Sequence, residues 1–142
     1  MSSSQKIHFF SLKKGFRVRD QSGIRAIISR ILKKEKTILE SLNIIFCNDD
    51  QLLKINQDWL GHDFFTDIIS FNLSPSGKPV NGEIYISIDR VRENAKMLRT
   101  TANQELKRVI IHGILHLSGY NDKTRVEKAK MRVLEDQYLK II

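Results

Sequence analysis

Residues 101–122 read T-A-N-Q-E-L-K-R-V-I-I-H-G-I-L-H-L-S-G-Y-N-D, and where this segment packs decides the fold. Thr101 with Gln104 matches a capping box, so a helix begins near Ala102. Leu106, Val109, Ile110, Ile114, Leu115 and Leu117 make an apolar stripe too wide for a helix lying on a surface. A central, buried helix is therefore expected. Gly119 suits the left-handed position that closes a helix, so the chain should turn sharply into Tyr120, Asn121 and Asp122.

His112 and His116 are four apart, which places both imidazoles on one face, a turn from each other. Two nitrogens at that spacing can share one metal ion, and Asp122, returning after the turn, can add a third ligand. The competing reading is a pair of core histidines hydrogen-bonded to neighbours, with Asp122 a turn residue capping the next helix. Gly113 stands where H-E-x-x-H metalloproteases carry their glutamate base, which argues against that peptidase chemistry. Its missing side chain permits close backbone approach beside the first histidine.

Outward from this helix, the chain alternates. Ile7 to Leu12 reads as a strand, and Ile24, Ile27, Ile28, Ile31 and Leu32 recur at helical spacing after it. Leu42 to Cys47 is a second strand, and N-D-D-Q opens a second helix that carries Leu52, Leu53, Ile55 and Trp59. T-D-I-I-S-F-N-L (66–73) and E-I-Y-I-S-I-D (83–89) are strands, and the loop between them holds both prolines, Pro75 and Pro79. That pair predicts an antiparallel hairpin. Helices follow near Asp89–Arg99, Ala102–Ser118 and Thr124–Leu139, the last read as packing plus a solvated face. The fold class is α+β (mixed α/β): one compact domain over 7–142, a mixed sheet of about four strands with helices packed on it, preceded by a disordered N-terminus over 1–6.

Composition bounds the rest. At 142 residues and 41% hydrophobic, the chain suits one domain with a real core. Lys plus Arg number 24 against 16 Asp plus Glu, a formal charge of +8, which favours phosphate-rich partners over acidic ones. Cys47 is the sole cysteine, so no intramolecular disulfide can form and a reducing, cytoplasmic setting fits. No run of about 18 apolar residues would cross a membrane, so no membrane partner is expected.

H-G-I-L-H-L-S-G-Y-N-D resembles the signature of the YbeY family, bacterial metal-dependent endoribonucleases of small-subunit ribosomal RNA maturation, whose pattern runs H-G-x-L-H-L-x-G-Y-D-H. T-D-I-I-S-F (66–71) is similar to the family's T-D-V-L-S-F, and N-G-E-I-Y-I-S (81–87) to its G-D-I-x-I-S. The resemblance covers nearly the whole chain from Ile7 and implies one zinc per chain. His112 and His116 match the first two of three family histidines, and Asp122 fills the third position. An aspartate oxygen is a competent zinc ligand, and a harder one, which widens the tolerated ions to manganese or iron. Trp59 and Leu60 stand where the family pattern has tyrosine and an arginine, and Glu83 where it has aspartate. Lys123 and Arg125, just past the turn, are candidates to supply the missing charge toward RNA.

The implied activity is a single-strand-specific endoribonuclease that processes the 3′ end of 16S ribosomal RNA and acts in ribosome quality control, with the small subunit as partner. Asp67 and metal-bound hydroxide are both candidates for the base, and the sequence does not choose between them. Asp67 and Ser70 are expected to face a cleft while Ile68 and Phe71 fill the core. His62 is expected to be a surface residue and His8 a structural one. Two other classes stand beside this reading: a non-catalytic ribosome assembly factor with a structural metal, and a metal-dependent hydrolase of another substrate.

Overall fold

The structure is a computed structural model and describes residues 3–140. Four strands form one sheet in the order β1-β2-β4-β3: β1 (Ile7–Ser11), β2 (Leu39–Cys47), β3 (Ile68–Asn72) and β4 (Val80–Ser87). β1 runs parallel to β2 and β2 parallel to β4, while β3 is antiparallel to β4 with Ser70 opposite Ile84. The predicted hairpin is therefore present; β1 reaches its parallel partner β2 through α1 (Gln21–Lys34), and β2 reaches β4 through α2 (Asp49–Leu60) followed by β3, which takes the sheet edge. Ser3–Lys6 form a 3-10 turn, and Lys6 Nζ donates to the Leu39 carbonyl at 2.9 Å, where the sequence suggests a frayed end. The expectation for Met1 and Ser2 lies outside the described residues.

The pleat sorts the strands' side chains between two helix layers. Leu42, Ile44 and Phe46 of β2 and Ile84 and Ile86 of β4 join the main core with α1, α3 (Ile88–Met97), α4 (Ala102–Leu117) and α5 (Arg125–Leu139). Cys47, Ile69 and Leu52 form a smaller core on the opposite face, with Phe71 and Tyr85 packed against it and α2 as its cover. α4 touches α1, α3, α5, β3 and β4, and its buried residues run almost all the way round, including Glu105 and Lys107. This is the central helix.

Alternation corrects one expectation. Ser70 lines a cleft with Asp67, as expected, but it shares its face of β3 with Ile68, turned toward α4, so Ile68 reaches that cleft as well, while Phe71 packs against the smaller core. A Cβ added at Gly113 would lie 2.8 Å from Ile68 Cδ1, 3.0 Å from Ile84 Cδ1 and 3.2 Å from Ser70 Oγ. Glycine at that position is what lets α4 lie flat on β3 and β4 beside the histidines.

Candidate metal centre

α4 ends in a Schellman turn. Gly119 takes φ +105°, the Tyr120 N–H donates to the Leu115 carbonyl at 3.0 Å and the Gly119 N–H to His116 at 3.0 Å. The turn is tied down from outside, because Tyr120 and Tyr138 each donate a 2.6 Å hydrogen bond to one oxygen of Glu35, at the end of α1. Asp122 is thereby carried back over the last turn of α4. The residue that caps α5 is Thr124, in a capping box with Glu127, so the capping alternative for Asp122 does not describe this chain.

Three side chains converge there. His112 Nε2 and His116 Nε2 are 3.0 Å apart, and Asp122 places Oδ2 3.2 Å from the first and Oδ1 3.4 Å from the second. Their ligand atoms all lie within 4.8 Å of one another, and among the described residues this is the one group of three or more that could hold a metal ion. Tetrahedral zinc with bonds of about 2.0–2.2 Å needs ligand atoms about 3.3 Å apart, so the donor set fits in both chemistry and spacing.

The other nitrogen of His112 is held from α5. Its Nδ1 lies 2.7 Å from Oε2 of Glu135, a buried carboxylate that also accepts from Arg108 Nη1 at 3.2 Å, while Arg108 Nη2 donates to Asp136 at 2.9 Å. An ionised carboxylate only accepts, so the proton belongs on Nδ1 and the Nε2 lone pair faces Asp122 and His116. Burial opposes charging His112, but the hydrogen bond and field of Glu135, with Asp122 and Asp67, outweigh it and raise its pKa. Burial likewise pushes the Asp67 carboxyl up, against the lowering effect of His112.

Two clefts, of about 380 and 710 Å³, share Asp67, Ile68, His112 and Asp122. The smaller is walled by Glu105, Arg108, Lys128, Arg132 and Glu135, the larger by Leu60, His62, Phe64, Ser70, His116 and Lys123. Lys123 is thus in place, whereas Arg125 is exposed outside both linings, one turn before Lys128. His62 is exposed, as expected, yet it lines the larger cleft, and His8 is exposed on β1. Glu83 accepts from the Tyr85 hydroxyl at 3.1 Å, away from both clefts. Lys128, Arg132 and Glu135 were missed because α5 reads as packing and solvated face. Their spacing of four and three residues does put them on one side of a helix.

Fold and site together define a small mixed α/β protein with a candidate metal centre of two histidines and one aspartate at the end of its central helix. The family model for Endoribonuclease YbeY matches residues 10–142, and the chain belongs to that family. A relative named Endoribonuclease YbeY in Cytophaga hutchinsonii is 45% identical over 137 residues, covering 96% of each chain. One of the same name in Flavobacterium psychrophilum is 43% identical over 93% of this chain and 94% of its own. The solution structure of TM1509 from Thermotoga maritima superposes with a TM-score of 0.67 at 31% identity, over 94% of this chain and 87% of that one.

Proposed function

We propose that this chain is a metal-dependent endoribonuclease that hydrolyses phosphodiesters of single-stranded RNA, with ribosomal RNA of the small subunit, at the 16S 3′ end, as its substrate. The observation that carries the reading is the convergence of His112 Nε2, His116 Nε2 and Asp122 on one point at the meeting of two open clefts. His112, His116 and Asp122 would hold one zinc ion, or another divalent ion suited to a mixed nitrogen and oxygen set. Such an ion, when bound, polarises a phosphoryl oxygen and acidifies water.

The chain's own groups do the rest. Glu135 fixes the tautomer and orientation of His112. Asp67, beside the centre and turned into both clefts, has a proton affinity raised by burial, which suits a group that takes a proton from an attacking water. Asn94 Nδ2 donates to its Oδ2 at 3.4 Å and orients it. Lys123 on one side, with Lys128 and Arg132 on the other, can each take a backbone phosphate, and together they would draw the strand across Asp67 and His112. Three protein ligands beside open space favour catalysis over a purely structural ion, which is ordinarily closed by four. No helix among the described residues is long and apolar enough to cross a membrane, and we place the protein in the cytoplasm, where ribosomal RNA is processed.

The test is metal content by elemental mass spectrometry of the wild type, His112→Ala and Asp122→Ala, followed by RNA cleavage with and without chelator. About one equivalent of metal, lost in both variants together with cleavage, is the expected result. A wild type that cleaves RNA equally well after complete metal removal would overturn the reading.

A further inference from the structure

The loop from Gly61 to Phe65, between α2 and β3, exposes aromatic rings that the metal centre does not use. Phe64 is 55% exposed and Phe65 50%, two adjacent rings close to Leu60, itself 44% exposed. The rings of His62 and Phe64 stack with centroids 5.1 Å apart and planes 20° from parallel. Both line the larger cleft together with Leu60, His112, His116 and Lys123.

This loop is built from beneath. Asn56 is 1% exposed, an amide buried where an apolar residue would be expected, and its Nδ2 donates to the Phe64 carbonyl at 3.0 Å. The Asn56 carbonyl accepts from the His62 N–H at 3.1 Å, and Gln57 donates to Asp63. Phe65 turns away under the Arg90 guanidinium, 5.5 Å from the ring centroid, and Arg90 is itself paired with Asp49 at 2.9 Å. The loop backbone is therefore held on both sides, and the His62–Phe64 stack it carries lines the cleft.

We propose that the His62–Phe64 stack is a base-stacking subsite, which takes an unpaired nucleobase of the strand whose phosphodiester lies at the metal centre. The proposal rests on the ribonuclease reading above and adds how the strand is held. An unpaired base offers a π face whatever its identity, so rings rather than hydrogen bonds suit a sequence-tolerant site. The cleft, about 710 Å³, is large enough for a nucleotide. Lys123 in the same lining supplies the cation for the adjoining phosphate. Leu60 adds an apolar wall, so this side of the cleft grips base more than phosphate. The occupant is a single strand, because a base paired in a duplex cannot leave its stack without loss of its partner.

The experiment compares two fluorescent 2′-O-methyl RNA decamers, one bearing bases and one abasic, bound to the metal-loaded wild type, Phe64→Ala and Phe64→Tyr and followed by anisotropy. Phe64→Ala is expected to weaken the base-bearing decamer about ten-fold and to leave the abasic one unchanged. Phe64→Tyr keeps a ring and should restore affinity, and all three proteins should carry equal metal, which checks that they are folded. Phe64→Ala binding the base-bearing decamer within two-fold of the wild type would overturn the subsite, as would an equal loss for both decamers. A wild type that binds neither decamer overturns both the subsite and the RNA reading. Cleavage of the 2′-hydroxyl decamer is scored separately, so a failure of the nuclease reading leaves these constants to decide the subsite.

Discussion

At the residue scale, the centre depends on a group that no local pattern announces. His112, His116 and Asp122 could be read as candidates because a helical period and one glycine turn relate them. Glu135 could not, because it is 23 residues from His112 and meets it only where α5 packs on α4. Its effect should still be large. Glu135→Gln keeps an acceptor for Nδ1 but removes the charge, and is expected to weaken zinc binding by about ten-fold, with Glu135→Ala nearer a hundred-fold, read by chelator competition. An unchanged affinity in both would mean that the hydrogen bond does not support the centre. The Cys47 thiol, fully buried and close to Asp49 and Asp89, is pushed up to about 12, chiefly by burial. Because the folded value lies above the unfolded one, the neutral thiol favours the fold below about pH 9, and that contribution is lost progressively as pH rises from there toward about 12. At pH 8, native protein should react with a thiol reagent only as fast as it opens, and rapid labelling without denaturant would contradict this burial.

Elements were legible where chemistry is local and illegible where it is not. Each predicted helix start beyond α2 lies within two residues of the observed one, because Ser87, Thr101 and Thr124 cap with side-chain oxygens. β2 begins at Leu39, three residues before the expected Leu42, since Glu40 and Ser41 disguise its alternation. The strand–helix–strand alternation points to parallel crossovers, but which strands flank β2 has no local signature, because it depends on where each crossover lands and not on a turn. Gly113 shows how a residue choice acts through an element. Alanine in place of glycine ordinarily stabilises a helix interior by about 1 kcal/mol. Here the added methyl meets Ile68 and Ile84 at 2.8 and 3.0 Å, and overpacking of this kind costs about 1–3 kcal/mol. Gly113→Ala should therefore lower stability by about 1 kcal/mol in denaturant unfolding, and Gly113→Val by more. A stabilised Gly113→Ala would show that β3 yields freely, and that close packing of α4 on the sheet is not what glycine serves.

At the scale of the whole molecule, charge and topology act together. A formal charge of +8 draws any polyanion, but it says nothing about where the strand lies. On the ribonuclease reading the fold would decide that, since Lys123 from the turn lines the larger cleft and Lys128 and Arg132 from α5 line the smaller, and Asp67 and His112 border both. Each phosphate neutralised on a single strand contributes about 0.7 to the slope of log affinity against log salt. Lys123→Ala, Lys128→Ala and Arg132→Ala should each lower that slope by about this amount while affinity falls uniformly across RNA sequences, and Arg125→Ala, outside both clefts, should change it least. Phe64→Ala should behave in the opposite way, losing affinity with the slope intact, because a stacked base releases no counterion. Titrations at four salt concentrations for these five variants separate the two kinds of grip. If the Phe64 variant lost slope and the lysine variants did not, the strand would have to run along another face, and the convergence of α4, α5 and the aromatic loop on one cleft would need a different ligand to explain it.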